Sequence, residues 1–250
     1  MALKDNLVAV WELNESSGTR VDSFSTNDLT DGSSVGSTAG LFSQNAAVFA
    51  SASTDYLTIA DNAALSLGNE DFSISAWIRI TADNGSARML AKYHYDSDNR
   101  EYAIAWDAAA DNTFSFQIGF SSGTAFTEVY ASTFGAPATN GTQWCWLYMY
   151  HENGTEIGIS VDNGTIDTSA HTGGVHSGSS SLNIGRRQTD LYCDADIQQV
   201  AIWRRLLTAD DRAVIYNSGS GLSYSSWDAS SLLLLDEPML TGGFQNLGVR

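Results

Sequence analysis

Short runs of alternating apolar and polar residues recur along this chain, and they constrain its fold more than any other feature. The clearest runs are 72–80, 114–120 and 157–161. Successive side chains of a β-strand point to opposite faces, so each run forms a strand with one apolar face for a core. Asn-Gly pairs between the runs suit tight hairpin turns. The pattern predicts an all-β sandwich of packed antiparallel sheets.

Size and charge narrow the class of protein further. The chain has 250 residues, of which 43% are hydrophobic, and its net charge is −17. Such a chain is long enough for one large β domain with a packed core. The excess of carboxylates repels polyanions and anionic membranes, so we expect no nucleic-acid partner. The same carboxylates offer hard oxygen ligands for Ca²⁺.

No export or membrane signal is evident in the sequence. Residues 1–11 pass directly into a strand pattern, and the longest apolar run, 232–235, is far too short to span a bilayer. We therefore expect no signal peptide, no transmembrane segment and no membrane insertion. The protein then stays in the cytoplasm, leaves by another route such as a virus particle, or derives from a longer precursor. A virion surface or an extracellular location is favoured.

One helix stands out near the C-terminus, and the chain changes character after it. Thr208 and Asp211 have the spacing of a capping box, and apolar residues follow at helical spacing up to Tyr216. The pattern predicts one domain over residues 1–222. Residues 223–250 form a C-terminal extension, which we interpret as a candidate anchor or assembly tail.

The two cysteines, Cys145 and Cys193, are far apart and show no metal-binding spacing. The sequence leaves their pairing open. A buried free thiol at Cys145 is favoured over a disulfide, because this residue occupies an apolar strand position.

Several segments together resemble a known family. They are "LVAVWELNESSGTRVDSFSTNDLT" (7–30), the stretch 46–80 with its "YLTIAD" and "FSISAW" motifs, and the closing stretch 196–222, "DIQQVAIWRRLLTADDRAVIYNSGSGL". They are similar, in this order, to the laminin-G-like jelly-roll domain of the concanavalin A-like lectin and glucanase superfamily. The resemblance covers about residues 7–222. It implies two antiparallel sheets, one convex and one concave, with one short C-terminal helix.

The resemblance also implies a structural Ca²⁺ between the opening loop and the closing strand. The matching residues are Asp22, Asn27 and Asp28 in the loop and Gln198 in the strand. The family's closing strand reads I-D-E-V, whereas this chain has I-Q-Q-V, so amides replace both acids. A calcium site and a loop of solvated acids with Asx turns both fit the sequence.

One strand carries an aromatic stripe. Trp146, Tyr148 and Tyr150 alternate with smaller apolar residues, and Trp77 has a similar position on its own strand. If the smaller residues face the core, the rings lie on an outer surface and are candidates for stacking on sugars. In the alternative interpretation, loops or the C-terminal extension cover the rings, because exposed aromatic patches are uncommon on monomers.

Motifs of catalysis are missing from the sequence. It has no E-x-D-x-x-E strand of the superfamily's glucanases, no paired histidines and no nucleotide-binding fingerprint. The sequence therefore predicts a non-catalytic module that binds a glycan or glycoprotein surface, displayed on a virion or a cell. The alternatives are a purely structural virion protein, such as a bacteriophage capsid decoration or tail component that contacts capsid proteins through the extension, and a polysaccharide-degrading enzyme.

Overall fold

The computed structural model of the protein describes residues 2–107 and 112–228. Within these ranges the chain forms fifteen β-strands and one α-helix. In chain order they are β1 (Leu7–Trp11), β2 (Thr30–Asp31), β3 (Gly36–Ala39), β4 (Asn45–Phe49), β5 (Leu57–Ile59), β6 (Phe72–Ile80), β7 (Ser86–His94), β8 (Asn99–Asp107), β9 (Thr113–Gly119), β10 (Phe126–Tyr130), β11 (Cys145–Glu152), β12 (Glu156–Val161), β13 (Asp167–Ala170), β14 (Leu182–Ile184), β15 (Ala195–Trp203) and α1 (Ala209–Tyr216).

The strands form two antiparallel sheets. Sheet 1 has the order β13-β12-β11-β6-β15-β4-β3, and β1 also pairs with β15; sheet 2 has the order β10-β9-β8-β7-β14-β5-β2. β15 pairs with β4 over 195–197 and with β1 over 200–203. Gln199 lies between these two stretches with a φ of 48°, at a break in the register between β15 and β6. The predicted all-β sandwich with one short helix is confirmed.

The main core lies between the sheets and consists of the apolar faces that the alternation identifies. In β8 the inward residues are Tyr102, Ile104 and Trp106, while the residues between them point away from the core. The two sheets contribute to one buried cluster that includes Phe72, Ile74, Ile78, Leu147, Met149 and Ile202 from sheet 1 and Met89, Ile104, Trp106, Phe114, Phe116 and Ile118 from sheet 2.

A second apolar cluster lies on the outer side of sheet 1, under α1. The helix begins with the predicted capping box, in which the Thr208 hydroxyl accepts a hydrogen bond from the Asp211 N–H at 3.1 Å. Arg205 donates to the Asp211 carboxylate at 2.7 Å and so ties the first turn of the helix to the end of β15. Burial of Ile215 completes the contact with the sheet.

The first residues of the predicted extension pack against this second cluster. Tyr224–Ser226 form a short 3₁₀ turn, and the buried Trp227 stacks on Trp203 with 5.5 Å between ring centroids. The Gln199 side chain fixes the backbone at the start of this turn, because it donates to the Leu222 carbonyl and accepts from the Tyr224 N–H. Residues 229–250, which make up most of the predicted tail, lie outside the described residues.

Both cysteines are free and buried. Burial raises the pKa of the Cys145 thiol to about 12 and also raises that of Cys193. The free thiol favoured for Cys145 is thus confirmed. Within the described residues, no helix combines the length and the apolar character that a membrane span needs.

Candidate ligand-binding face

The predicted calcium ligands of the opening loop hydrogen-bond within the loop and to the adjoining strand β1. One carboxylate oxygen of Asp22 accepts from the N–H groups of Val10 and Phe24 at 2.9 and 3.0 Å. The other accepts from the backbone N–H and the side-chain amide of Asn27 at 3.1 and 3.0 Å. Asp28 accepts from the Asp22 N–H at 2.9 Å. The bond from Phe24 to Asp22 closes an Asx turn, as in the alternative interpretation.

The fourth predicted ligand, Gln198, uses its amide elsewhere. It accepts from the Leu41 N–H at 2.7 Å and donates to the Leu41 carbonyl at 3.2 Å. Across residues 2–107 and 112–228, no three His, Cys, Asp or Glu side chains are grouped to hold a metal ion. These four residues therefore do not fit a calcium site in this arrangement, because hard cations need several free oxygens that converge on one point.

The aromatic stripe lies on the outer side of sheet 1, but it is covered. Trp146 and Tyr148 are at most 1% exposed, and Tyr150 is 8% exposed. Tyr216 of α1 packs over Trp77 and Trp146 with 6.0 Å between ring centroids in each pair. The prediction that these four rings contact a ligand is corrected, since the C-terminal helix occupies their surface. The alternative interpretation, a covered stripe, describes the structure.

The outer face of sheet 2 has a different character. Its side chains form two rows across the strands, because the outward-facing residues of neighbouring strands lie side by side. The middle strand, β8, contributes the small side chains of Ala103 and Ala105 at the centre of this face, whereas longer side chains flank them on both neighbouring strands. Most of these side chains are buried, with Ser115 and Gln117 at most 3% exposed. We call this surface the sheet 2 face, and its residues are Arg88, Ala91, Tyr93, Ala103, Ala105, Ser115, Gln117, Phe126, Glu128, Tyr130 and Asn183.

Glu128 is the hub of the polar network on this face. One of its carboxylate oxygens accepts from Ser115 and from Gln117, each at 2.7 Å, and the other accepts from the Tyr130 hydroxyl at 2.8 Å. Burial and this bond to a carboxylate raise the pKa of Tyr130 to about 12. The network holds planar amide, hydroxyl and carboxylate groups in fixed positions on the outer side of sheet 2.

Arg88 is a buried cation beside this network. It donates to the Ala87 carbonyl at 3.0 Å and to the Gln117 side chain at 3.4 Å, and its Nε has no hydrogen-bond partner. Burial and the nearby charge of Arg187 lower the pKa of its guanidinium. The neighbouring Tyr93 is also buried, which raises the pKa of its hydroxyl to about 12.

Two exposed aromatic rings stand at the edge of the face. Phe126 is 37% exposed and meets the Tyr93 ring edge-on, with 6.1 Å between centroids. Tyr95 is 48% exposed, with the guanidinium groups of Arg100 and Arg187 at 4.3 and 5.2 Å from its ring centroid. In the described part of the chain only two other large apolar side chains are exposed, both in the opening loop.

The sequence carried a signal for this face that the prediction of the stripe overlooked. The alternation in β9 assigns Ser115 and Gln117 to one polar side of a strand. The stretch 92–102 allows two interpretations, a polar loop that contacts a ligand and a solvated hairpin, and the hairpin is favoured. The hairpin is present as β7 and β8, with Tyr95 in its turn. The pairing that gathers the polar sides of four strands depends on register, which the sequence alone does not provide.

Comparisons with known proteins agree on the fold. A family model, Laminin_G_3 of the concanavalin A-like lectin/glucanases superfamily, matches residues 51–211. No curated protein sequence matches the chain.

Similar solved structures are binding domains. The binding domain of Paraclostridial Mosquitocidal Protein 1 is 16% identical, with a TM-score of 0.68, over 87% of this chain and 53% of that one. The binding domain of Botulinum Neurotoxin DC in complex with SialylT is 14% identical, with a TM-score of 0.61, over 87% of this chain and 52% of that one. This chain spans about half the length of both toxin domains.

Domain 4 of AbnA matches along nearly its whole length. This domain of a GH43 extracellular arabinanase from Geobacillus stearothermophilus, solved with arabinotriose, is 15% identical, with a TM-score of 0.64, over 87% of this chain and 98% of that one. At such identities the likeness concerns the fold alone.

Proposed function

Because this chain belongs to the Laminin_G_3 family of the concanavalin A-like lectin/glucanases superfamily, we propose that it is a non-catalytic module that binds carbohydrate through the sheet 2 face. One observation carries the proposal. Two exposed aromatic rings, Phe126 on that face and Tyr95 at its edge, stand on a sheet whose polar side chains are held in place by hydrogen bonds to Glu128. Sugars present apolar C–H faces that stack on rings and hydroxyl groups that bond to amides and carboxylates.

The non-catalytic part of the proposal rests on Glu128. A carboxylate that acts as a general acid or nucleophile needs an oxygen directed at the substrate, and glycosidases use two such carboxyl groups. Both oxygens of Glu128 accept hydrogen bonds from neighbouring side chains instead. This arrangement supports a structural and ligand-orienting role for the residue.

The similar structures supply further support by analogy. Domain 4 of AbnA was solved with arabinotriose and the Botulinum Neurotoxin DC domain with SialylT, so chains of this fold accommodate sugars. Display on a virion or cell surface, with capsid or other surface proteins held by the extension, is the further part of the proposal. It depends on residues 229–250, outside the described residues.

The experiment combines a glycan array with calorimetry on the sugars that bind. We expect dissociation constants between about micromolar and millimolar, because small polar ligands gain little free energy per atom. Tyr95→Ala and Phe126→Ala should each weaken binding about tenfold, which corresponds to the ~1.4 kcal/mol expected for loss of one stacking contact.

Phe24→Ala is the matched control. Phe24 is 43% exposed, between Phe126 and Tyr95 in exposure, but it belongs to the opening loop. Its removal should leave sugar affinity unchanged. Failure of the protein to bind any sugar on the array, or equal affinities for all three variants and the parent, would contradict the proposal.

A further inference from the structure

A polar cavity opens at one end of sheet 2, at the turn that carries the exposed ring of Tyr95. It is lined by residues 97–99, where β7 turns into β8, and by residues 176–179, in the connection between β13 and β14. Its volume is about 410 Å³, within the range of small-molecule sites. We call this cavity the end pocket.

Hydrogen bonds hold the two sides of the end pocket together. The Asn99 side chain donates to the Ser179 hydroxyl and accepts from the Ser179 N–H, both at 3.1 Å. Gly178 approaches so closely that an added Cβ would lie 1.7 Å from the Asn99 side-chain oxygen. The His176 N–H donates to the Gly119 carbonyl at 3.2 Å and joins this segment to the end of β9. The pocket is therefore formed before a ligand binds, which lowers the entropic cost of binding.

Two of the lining side chains offer free hydrogen-bond acceptors. The side chain of Asp98 is 58% exposed, and its carboxylate accepts no hydrogen bond from the residues that the structure describes. His176 is half-buried, and its Nδ1 donates to the Ser121 carbonyl at 3.1 Å. In the neutral ring Nε2 then carries the lone pair. A ligand that supplies hydroxyl donors meets both needs.

The end pocket offers no free cation to a ligand. None of its seven lining residues is Lys or Arg. Arg100 lies 3.4 Å from Asp98, but it is 4% exposed and donates to the carbonyls of Gly123 and Tyr95 at 3.0 and 2.9 Å. The same guanidinium lies 4.3 Å from the centroid of the Tyr95 ring. Arg100 thus holds an exposed ring and an exposed carboxylate within reach of one small ligand.

We propose that the end pocket selects a neutral sugar, whose ring stacks on Tyr95 while its hydroxyl groups donate to Asp98 and to Nε2 of His176. This inference rests on the proposed function and assigns its ligand class. Hydrogen bonds from hydroxyl groups to a carboxylate are charge-assisted and therefore strong. A uronic or sialic acid is disfavoured, because its carboxylate would meet Asp98 without a free cation, on a protein of net charge −17.

The test compares neutral sugars with acidic counterparts. Two pairs serve as probes: lactose with sialyllactose, and carboxyl-reduced trigalacturonate with trigalacturonate. Calorimetry at about 50 mM NaCl should show the neutral member of at least one pair binding about tenfold more tightly. This preference should shrink severalfold at about 500 mM NaCl, because salt screens the repulsion between Asp98 and the acidic sugar. If neither pair binds, the strongest neutral sugar on the glycan array takes their place.

Variants assign the preference to the end pocket. Asp98→Asn keeps the size of the side chain and tolerates the φ of 52° at this residue. It should weaken neutral-sugar binding about tenfold without weakening acidic-sugar binding, whereas loss of a structural contact would weaken both. Ser177→Leu fills the pocket from an exposed residue and should also cost about tenfold in neutral-sugar affinity. Asp96→Asn removes a charge from the same turn, outside the lining residues, and as the matched control should leave neutral-sugar affinity unchanged.

The outcomes separate the two proposals. Equal or tighter binding of the acidic sugars, or a neutral preference that survives both Asp98→Asn and Ser177→Leu, overturns the inference while sugar binding itself still stands. A glycan array on which only carboxylated or sulfated sugars bind has the same consequence. An array without any bound sugar overturns the proposed function.

Discussion

Substitution of Trp227 by Ala tests whether the domain continues past residue 222. Trp227 is 1% exposed, stacks on Trp203 at 5.5 Å and meets Tyr224 edge-on at 5.2 Å. Its indole N–H donates to the Leu222 carbonyl at 3.1 Å. Two aromatic pairs at ~0.5–1.5 kcal/mol each and one hydrogen bond at ~1 kcal/mol give about 2–4 kcal/mol. The cavity adds to this, so we expect a loss of about 3–5 kcal/mol in unfolding free energy.

Urea denaturation followed by circular dichroism measures this loss. The midpoint should fall while the slope stays constant, and the melting temperature should drop by roughly 6–20 °C for a domain of this size. Trp227→Phe keeps an aromatic ring but removes the indole N–H, so it should cost only about 1–2 kcal/mol. Phe24→Ala, at an exposed position, should cost no more than about 0.5 kcal/mol.

The position of Trp227 near the end of the described chain makes the outcome decisive. If residues 223–228 detached from the sandwich at little cost, the protein would lose them locally and keep its global stability. A loss below about 1 kcal/mol for Trp227→Ala would therefore refute the packing argument and place the domain boundary at residue 222, as the sequence predicts.

Three further predictions follow from individual contacts. The melting temperature should be the same in the presence of calcium as in the presence of a chelator, because the Asp22 carboxylate already accepts hydrogen bonds from N–H donors. A higher melting temperature in calcium would contradict this. Burial lowers the pKa of His151, so unfolding free energy should fall as the pH drops through about 6.5, more steeply than in His151→Gln; parallel slopes would contradict this. Asn153 should deamidate before the other Asn-Gly asparagines, measured by peptide mass spectrometry, because the N–H groups of Gly85, Gly141 and Gly164 donate hydrogen bonds whereas that of Gly154 has no acceptor among the residues that the structure describes; equal rates would contradict this.

The sequence predicts the sandwich well because alternation records which side of each strand is apolar. The capping box likewise predicts the start of α1, since both partners are local in sequence. The strand of Trp146 and Tyr148 shows where this reasoning ends. Both of its faces are apolar, and alternation distinguishes the two sides without telling what covers the outer one. That cover, Tyr216 on α1, comes from a segment about 70 residues further along the chain.

The predicted calcium site shows a different limit. Asp22 and Gln198 both carry oxygens suited to Ca²⁺, and the resemblance places them together. Their oxygens are already used elsewhere, because Asp22 accepts from the N–H groups of Val10 and Asn27 and Gln198 is bonded to the backbone of Leu41. Sequence identifies the donor atoms that a site could use, whereas the competition between cation and backbone for those atoms appears only in three dimensions.

The two outer faces of the sandwich differ in what they leave exposed. The outer face of sheet 1 is aromatic in β6 and β11, and its burial under α1 and Trp227 contributes to the stability of the domain. A surface that stabilises the fold in this way is not available to a ligand unless the helix detaches. The sheet 2 face has short side chains in β8 and a polar network around Glu128, to which Arg88 is joined through Gln117. The rings at its edge, Tyr95 and Phe126, remain 48% and 37% exposed, which supports the proposed sugar contact at that edge.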